Sequence, residues 1–278
     1  MIYLILAIAS SATIAVIMRI SSNKVKSNMS MLATNYMTCL LLGALYAGFK
    51  LFPVRSHGFS TTVAMGAVNG ILYLAGFVLL QYNTRKSGVV LSSVFMKLGL
   101  LVPMVISIFL FSEAPTVIQW IGFVLAIVAI IMINHEKGVS FSGGKLPLIL
   151  MLLACGSGDA MSKVFEVYGT PAHSDLFLFY TFASAFLICI ALTLHKREKF
   201  DKYALIFGAL VGVPNFFSAK FLLMSLGSLP AVIAYPTFSV ATILVVTLAG
   251  VCLFKERLCK LQWGAMSVIL ITLVLLNI

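Results

Sequence analysis

The sequence predicts an all-α membrane protein with ten transmembrane helices arranged as two inverted five-helix repeats. Three observations predict it. Hydrophobic residues fill 61% of the 278 positions and charged residues only 10%; soluble domains carry roughly 25% charge to cover themselves. Apolar runs of about 20 residues, each able to cross a bilayer, recur along the whole length. One phrase is also written twice. Phe111, Glu113, Gln119, Trp120 and Gly122 of "FSEAPTVIQWIG" return as Phe254, Glu256, Gln262, Trp263 and Gly264 of "FKERLCKLQWG", with both Glu and Gln displaced by 143 positions.

The spans read as 2–20, 28–49, 60–83, 88–111, 115–134, 146–166, 174–194, 203–225, 229–253 and 260–277. No positive charge precedes the first, and Arg19 follows its apolar run. A secretory signal has the opposite arrangement, so this span is expected to be a retained helix. Ser21-Ser22-Asn23-Lys24 ends it, and the second runs out before Lys50. The third carries Asn69 and Tyr73 and stops at Arg85-Lys86-Ser87-Gly88. The fourth carries Lys97 and Pro103 and closes on Glu113, and the fifth opens on Gln119-Trp120. Glu136-Lys137-Gly138 and Ser142-Gly143-Gly144 form the central loop. Asp159 and Lys163 lie in the sixth, and His195-Lys196-Arg197-Glu198-Lys199, the longest charged break, follows the seventh. The eighth holds Pro214, Asn215 and Lys220, and an uncharged turn, Gly227-Ser228-Leu229-Pro230, leads to the ninth with Tyr235 and Pro236. Gln262-Trp263 opens the tenth.

The duplication reaches beyond the phrase. Residues 87–113 lie without gaps over 230–256, and Gly66–Gly70 lies over Gly208–Gly212 with one residue of slippage. The halves are 1–138 and 139–278. Five spans per half is odd, so the second half enters the membrane upside down, a plan common among secondary transporters. Lys and Arg set the orientation. The odd-numbered loops hold 14 of them and the even-numbered loops 2, with Lys97, Lys163 and Lys220 inside spans. Both termini are therefore expected outside, in a multi-pass protein of a bacterial inner or plasma membrane.

The net charge of +11 sits in those short loops and implies no nucleic-acid partner. The five Cys lie mostly in apolar runs and read as small hydrophobes rather than a disulfide framework. His57, His135, His173 and His195 show no metal-ligand spacing, and no phosphate-cradling G-x-x-x-x-G-K-[ST] occurs. Neither metal nor cofactor is expected.

Ten helices in two five-helix halves, with Glu113 and Glu256 closing the fourth and ninth before Gln119-Trp120 and Gln262-Trp263, resemble the drug/metabolite transporter superfamily, EamA type. The resemblance covers essentially the whole chain. It departs from the usual phrase at Ser112 and Lys255, where the family writes Gly. Pro103 keeps a family-like proline, whereas Val246 holds the matching place in the ninth span. The resemblance implies a carrier of small organic metabolites, often an exporter, with a central cavity between repeats. The phrase itself reads as a staple: each Glu is placed to serve the unpaired N–H groups of the next helix, and Trp120 and Trp263 sit at the interface.

A charge near the bilayer centre costs about 2.5–3.5 kcal/mol and is usually functional or paired. Lys97 lies about 15 Å into the fourth span, near the midplane, and its repeat partner is Val240. It is the first candidate for binding substrate. Asp159 and Lys163 share a helix face at i,i+4; a self-neutralising pair and a binding or proton-coupling role both fit. Lys220 reads as an interfacial snorkeller. Tyr73, Asn215 and Tyr235 are polar at mid-depth, as are Asn35 and Asn69, and each either meets substrate or bonds helices together. Gly66/Gly70 and Gly208/Gly212 are expected to pack the third span on the eighth, and Pro103, Pro214 and Pro236 to bend helices.

These residues point to a secondary transporter of a small organic solute, of amino-acid-like zwitterionic or anionic character, working by alternating access with proton or ion coupling. A translocase of lipid headgroups or lipid-linked sugars is the rival of the same fold. A membrane-embedded enzyme would need a His/Asp or metal cluster that the sequence does not offer. Monomer and homodimer both remain open.

Overall fold

The computed structural model describes residues 1–22, 24–52, 56–87, 89–133, 145–255 and 259–278. His135 and Glu256 lie outside the described residues. Among those described, the chain is all-helical: α1 (Ile2–Ser21), α2 (Asn28–Tyr46), α3 (Phe59–Ser87), α4 (Val89–Leu98), α5 (Leu101–Phe111), α6 (Val117–Ile133), α7 (Leu146–Tyr168), α8 (Ser174–His195), α9 (Lys202–Leu226), α10 (Ala231–Phe254) and α11 (Lys260–Leu276). A 3₁₀ turn, Pro171–His173, leads into α8. Helices α1, α2, α3, α7, α8, α9 and α10 are long and apolar enough to cross a membrane. The shorter apolar segments Phe95–Phe111, Val117–Met132 and Lys260–Leu276 supply the fourth, fifth and tenth spans.

The fourth span departs from expectation: it is two helices, α4 and α5, broken at Gly99–Leu100. Pro103 has no N–H to donate, and its ring crowds the carbonyl four residues back, which is Gly99. That carbonyl instead accepts from Val102 N at 3.0 Å, and Gly99 N and Leu100 N close tight turns onto Met96 O and Lys97 O at 3.2 and 3.3 Å. In the ninth span Val246 replaces the proline, and α10 runs unbroken despite Pro236 in its interior. Pro214 likewise lies inside a continuous α9.

The chain forms two compact units, Met1–Leu74 with Val164–Gly227 and Ala75–Lys163 with Ser228–Ile278. Each draws helices from both halves of the sequence.

In the first unit α9 packs on α1 and α2, and α2 packs on α8. The glycine pairs do not join the third span to the eighth, as expected. Gly66 and Gly70 receive α8, where a Cβ would collide with Tyr180, Thr181 and Ser184. Gly208 and Gly212 receive α2, where a Cβ would collide with Thr34 and Thr38. In both cases the bare backbone groove receives a helix that carries side chains. The two contacts are copies. Phe177 O stands to Gly66 as Met31 O to Gly208, and Ser184 stands to Gly70 as Thr38 to Gly212. Each α8 residue comes 146 positions after its α2 counterpart.

In the second unit α6 and α11 pack together, Gly122 lying against Leu275 and Leu276, while α10 rests on α5, α6 and α11. Leu100, Met104, Phe123, Ala126, Ile130, Val240 and Ile269 form its core. The repeated Gln caps these helices. Gln119 Oε1 accepts from Thr116 N at 3.0 Å while Thr116 Oγ1 accepts from Gln119 N at 3.2 Å; Gln262 Oε1 accepts from Cys259 N at 3.0 Å. This is the reciprocal box that satisfies orphan donors at a helix start. Trp120 and Trp263, next in sequence, are exposed on the outer faces of α6 and α11.

Candidate functional site

Lys97 stands in the last turn of α4, where the span breaks. The C-terminal end of a helix carries partial negative charge, which favours an ammonium near the break. Facing it is α7. Gly99 and Gly156 meet backbone to backbone, where a Cβ on Gly99 would fall 3.2 Å from Gly156 N, so α7 is seated directly on the break. Three residues on from Gly156 is Asp159, and its carboxylate is close enough to Lys97 to interact electrostatically. Cys155, one turn before Asp159 and against Gly76, belongs to the same charged environment. Lys97, Cys155 and Asp159 each keep part of their surface accessible. Tyr235, 2% exposed, donates its hydroxyl to the Asp159 backbone carbonyl at 2.6 Å, pinning α10 to α7 beside the pair. Lys97, Asp159 and Tyr235 are thus brought together in the second unit.

Lys163, whose i,i+4 spacing allowed a pair with Asp159, has a partner on another span. Its Nζ is 2.9 Å from Glu113 Oε1, with both side chains largely buried, and it lies over the Phe111 ring at 5.8 Å. The other Glu113 oxygen accepts from Ala231 N at 2.7 Å and Val232 N at 3.3 Å. The sequence assigned Glu113 to the start of the next helix, α6. In the structure it serves the start of α10 instead, because the Thr116–Gln119 box already satisfies α6. One carboxylate therefore ties the end of α5, the C-terminal part of α7 and the start of α10. Two charges of α7 thus look to other helices: Asp159 lies within electrostatic reach of Lys97, and Lys163 bonds Glu113.

The remaining candidates lie in the first unit. Asn215 Nδ2 donates to Asn35 Oδ1 at 3.1 Å, joining α9 to α2. Tyr73 is half-buried, its ring tilted against Phe182 at 6.4 Å. Lys220 reaches the first turn of α8. It bonds Asp175 at 2.5 Å and sits over the Tyr46 ring at 3.9 Å, an ion pair completed by a cation–π contact. Sequence reasoning missed two partners here. Cys155 reads as one more small hydrophobe, although its i,i+4 spacing to Asp159 was visible. Asp175 reads as an ordinary charge at a helix start.

Comparison with known proteins agrees with this architecture. The model of the EamA-like transporter family matches residues 1–135, and that of the Small Multidrug Resistance protein matches residues 176–274. A Haemophilus influenzae protein described as uncharacterized is 25% identical over 272 residues, covering 94% of this chain and 92% of that protein. A solved crystal structure of a protein superposes with a TM-score of 0.78 at 12% identity, covering 99% of this chain and 94% of the other, which is a likeness of fold. The chain is thus similar to the EamA-like transporter family over its first 135 residues and to the Small Multidrug Resistance protein over residues 176–274, and it is a multi-pass integral membrane protein.

Proposed function

We propose that the protein is a secondary transporter that moves a small organic metabolite of amino-acid-like, zwitterionic or anionic character across a bacterial inner or plasma membrane. It works by alternating access between the inverted repeats 1–138 and 139–278. Lys97 meets the anionic group of the solute. Asp159 receives its cationic group or, when the solute lacks one, the coupling proton.

The observation that carries this reading is the placement of Lys97 at the break of the fourth span, opposite Asp159. Irregular backbone at membrane depth is tolerated where it is buried in protein or lines a cavity, and discontinuous helices form the binding sites of many secondary transporters. The repeat adds a second argument. Val240, the mate of Lys97, is fully buried in the apolar core, so the scaffold has no need of a charge at this position. The symmetry-matched glycine contacts of α3 with α8 and α9 with α2 support the inverted repeat itself.

The test is uptake of a panel of radiolabelled amino acids and related organic anions into proteoliposomes, with and without an imposed pH gradient. Lys97→Met keeps much of the stem and removes the charge. It is expected to insert, stay monodisperse and lose uptake. Lys97→Arg is expected to recover little, since a planar fork does not replace a compact ammonium in a fitted site. Wild-type uptake by Lys97→Met would overturn the reading.

A further inference from the structure

We propose that Asn69, in the first unit, contacts the solute during transport and hydrogen-bonds a polar group of it. This rests on the transport reading above but not on Lys97. Asn69 is completely buried. Among the described residues it is the one amide side chain whose oxygen and nitrogen are both buried without a hydrogen-bond partner. A carboxamide brings two donors and an acceptor. Leaving them unmade in an apolar interior is costly, and native proteins rarely do it without a ligand, ion or water to answer.

Depth and repeat agree. Asn69 lies ten residues past Phe59, the first residue of α3, about 15 Å along the helix and therefore near the middle of the membrane. Gly66 and Gly70 bracket it and fix that stretch of α3 against α8, so the side chain is carried on a rigid element. Tyr73, one turn further on and half-buried, continues the same flank of the helix. In the "GAVNG" and "GALVG" segments the residue matching Asn69 is Val211, which is buried and apolar. The same helix contact is thus built in the other repeat without an amide. Asn69 repeats the pattern of Lys97 and Val240: a polar residue at mid-depth in one half, a valine in the other. A group that presents both donor and acceptor atoms, such as the carboxylic acid, carboxamide or hydroxyl of a small metabolite, would satisfy it.

The test needs no knowledge of the substrate. In a background with the five native cysteines replaced, Asn69→Cys and its repeat mate Val211→Cys are treated with aminoethyl methanethiosulfonate in proteoliposomes. A sealed position reacts only through local opening, so Asn69→Cys is expected to react at least about tenfold faster than Val211→Cys. Equal rates, or no reaction at Asn69→Cys in folded, monodisperse protein, overturn the proposal. Asn69→Leu supplies a second arm. It is expected to unfold at a higher temperature than wild type, because it removes an amide that the resting protein leaves unpaired. A lower unfolding temperature would mean that the amide is bonded within the resting structure, and would overturn the proposal as well. Neither arm involves Lys97, so a failure of the lysine reading and a failure of this one are told apart.

Discussion

Glu113 answers three donors with two oxygens, and that bookkeeping predicts its mutants. Gln at this position keeps one carbonyl oxygen for the α10 amides but cannot neutralise Lys163, whose side chain is 8% exposed. Removing one partner of a buried pair leaves an uncompensated charge, at a cost of about 3 kcal/mol. Glu113→Gln is therefore expected to lower stability by that order in detergent-unfolding titrations. Lys163→Met leaves a carboxylate that still faces two backbone N–H groups and the positive end of α10, so its cost should be smaller. The double variant should lose less than the sum, by at least about 1 kcal/mol of coupling. Strict additivity would show that the pair contributes nothing in the membrane. The partner itself could not be read from the sequence. Asp159, one turn away on the same helix, was the local choice, whereas Glu113 is 50 positions distant and only the fold brings it close.

Helix ends carry the next set of consequences. Ser112 and Lys255 stand where the family writes Gly, and both adopt the left-handed conformation, at φ 56° and 55°. A side chain there costs roughly 1 kcal/mol that glycine would not. Ser112→Gly and Lys255→Gly are each expected to raise stability by about 0.5–1 kcal/mol, net of the entropy glycine adds to the unfolded chain. A loss in either variant would mean that the side chain makes a contact worth more than the strain. The broken span makes a second prediction at this scale. Pro103→Val copies the residue of the unbroken ninth span and restores a backbone donor for Gly99. It should leave stability within about 1 kcal/mol while reducing uptake, because closing the break removes the helix end, and its partial negative charge, beside Lys97. Unchanged uptake would make the break a static feature. Here the sequence was more legible than its reading: the Pro103–Val246 difference was visible, but a proline in a membrane helix bends more often than it breaks. Gly99, four residues before the proline and against Gly156, tips the balance, and that neighbour belongs to another helix. The repeated Gln is a similar case. Its role in capping follows from Thr116 and Cys259 three residues earlier, a spacing overshadowed by the more conspicuous Glu.

At the scale of the whole molecule the ten spans were readable because each is a long apolar run, and the repeat of spans three to five was readable because side chains had been kept. The repeat of spans two and seven was not: Met31 and Phe177 meet glycine through their backbone carbonyls, whatever their side chains, and the single hydroxyl match of Thr38 with Ser184 marks no register. Only backbone geometry preserves that register. The topology prediction gains from the same contacts. Within the first unit, Ser56 and Thr62 bond His173 at 3.1 and 3.3 Å, and Tyr180 donates to Leu51 O at 2.6 Å. These join the second loop to the sixth. Ser27 bonds Glu198, and Ser30 donates to Lys199 O at 3.1 Å, joining the first loop to the seventh. Within the second unit, Glu113 joins the fourth loop to the eighth. Loops of equal parity meet, as they must if every span crosses. The charge count then predicts which parity faces the cytoplasm: 14 Lys and Arg in odd-numbered loops against 2 in even-numbered ones, with positive charge expected inside. A C-terminal fusion to alkaline phosphatase should therefore be active and one to green fluorescent protein dark. A cysteine introduced at Ser228 should react with a membrane-impermeant maleimide in intact cells, and one at Lys196 only after permeabilisation. A fluorescent C-terminal fusion together with a protected Ser228→Cys would reverse the assignment, and would leave most of this protein's positive loop charge on the outer face of the membrane.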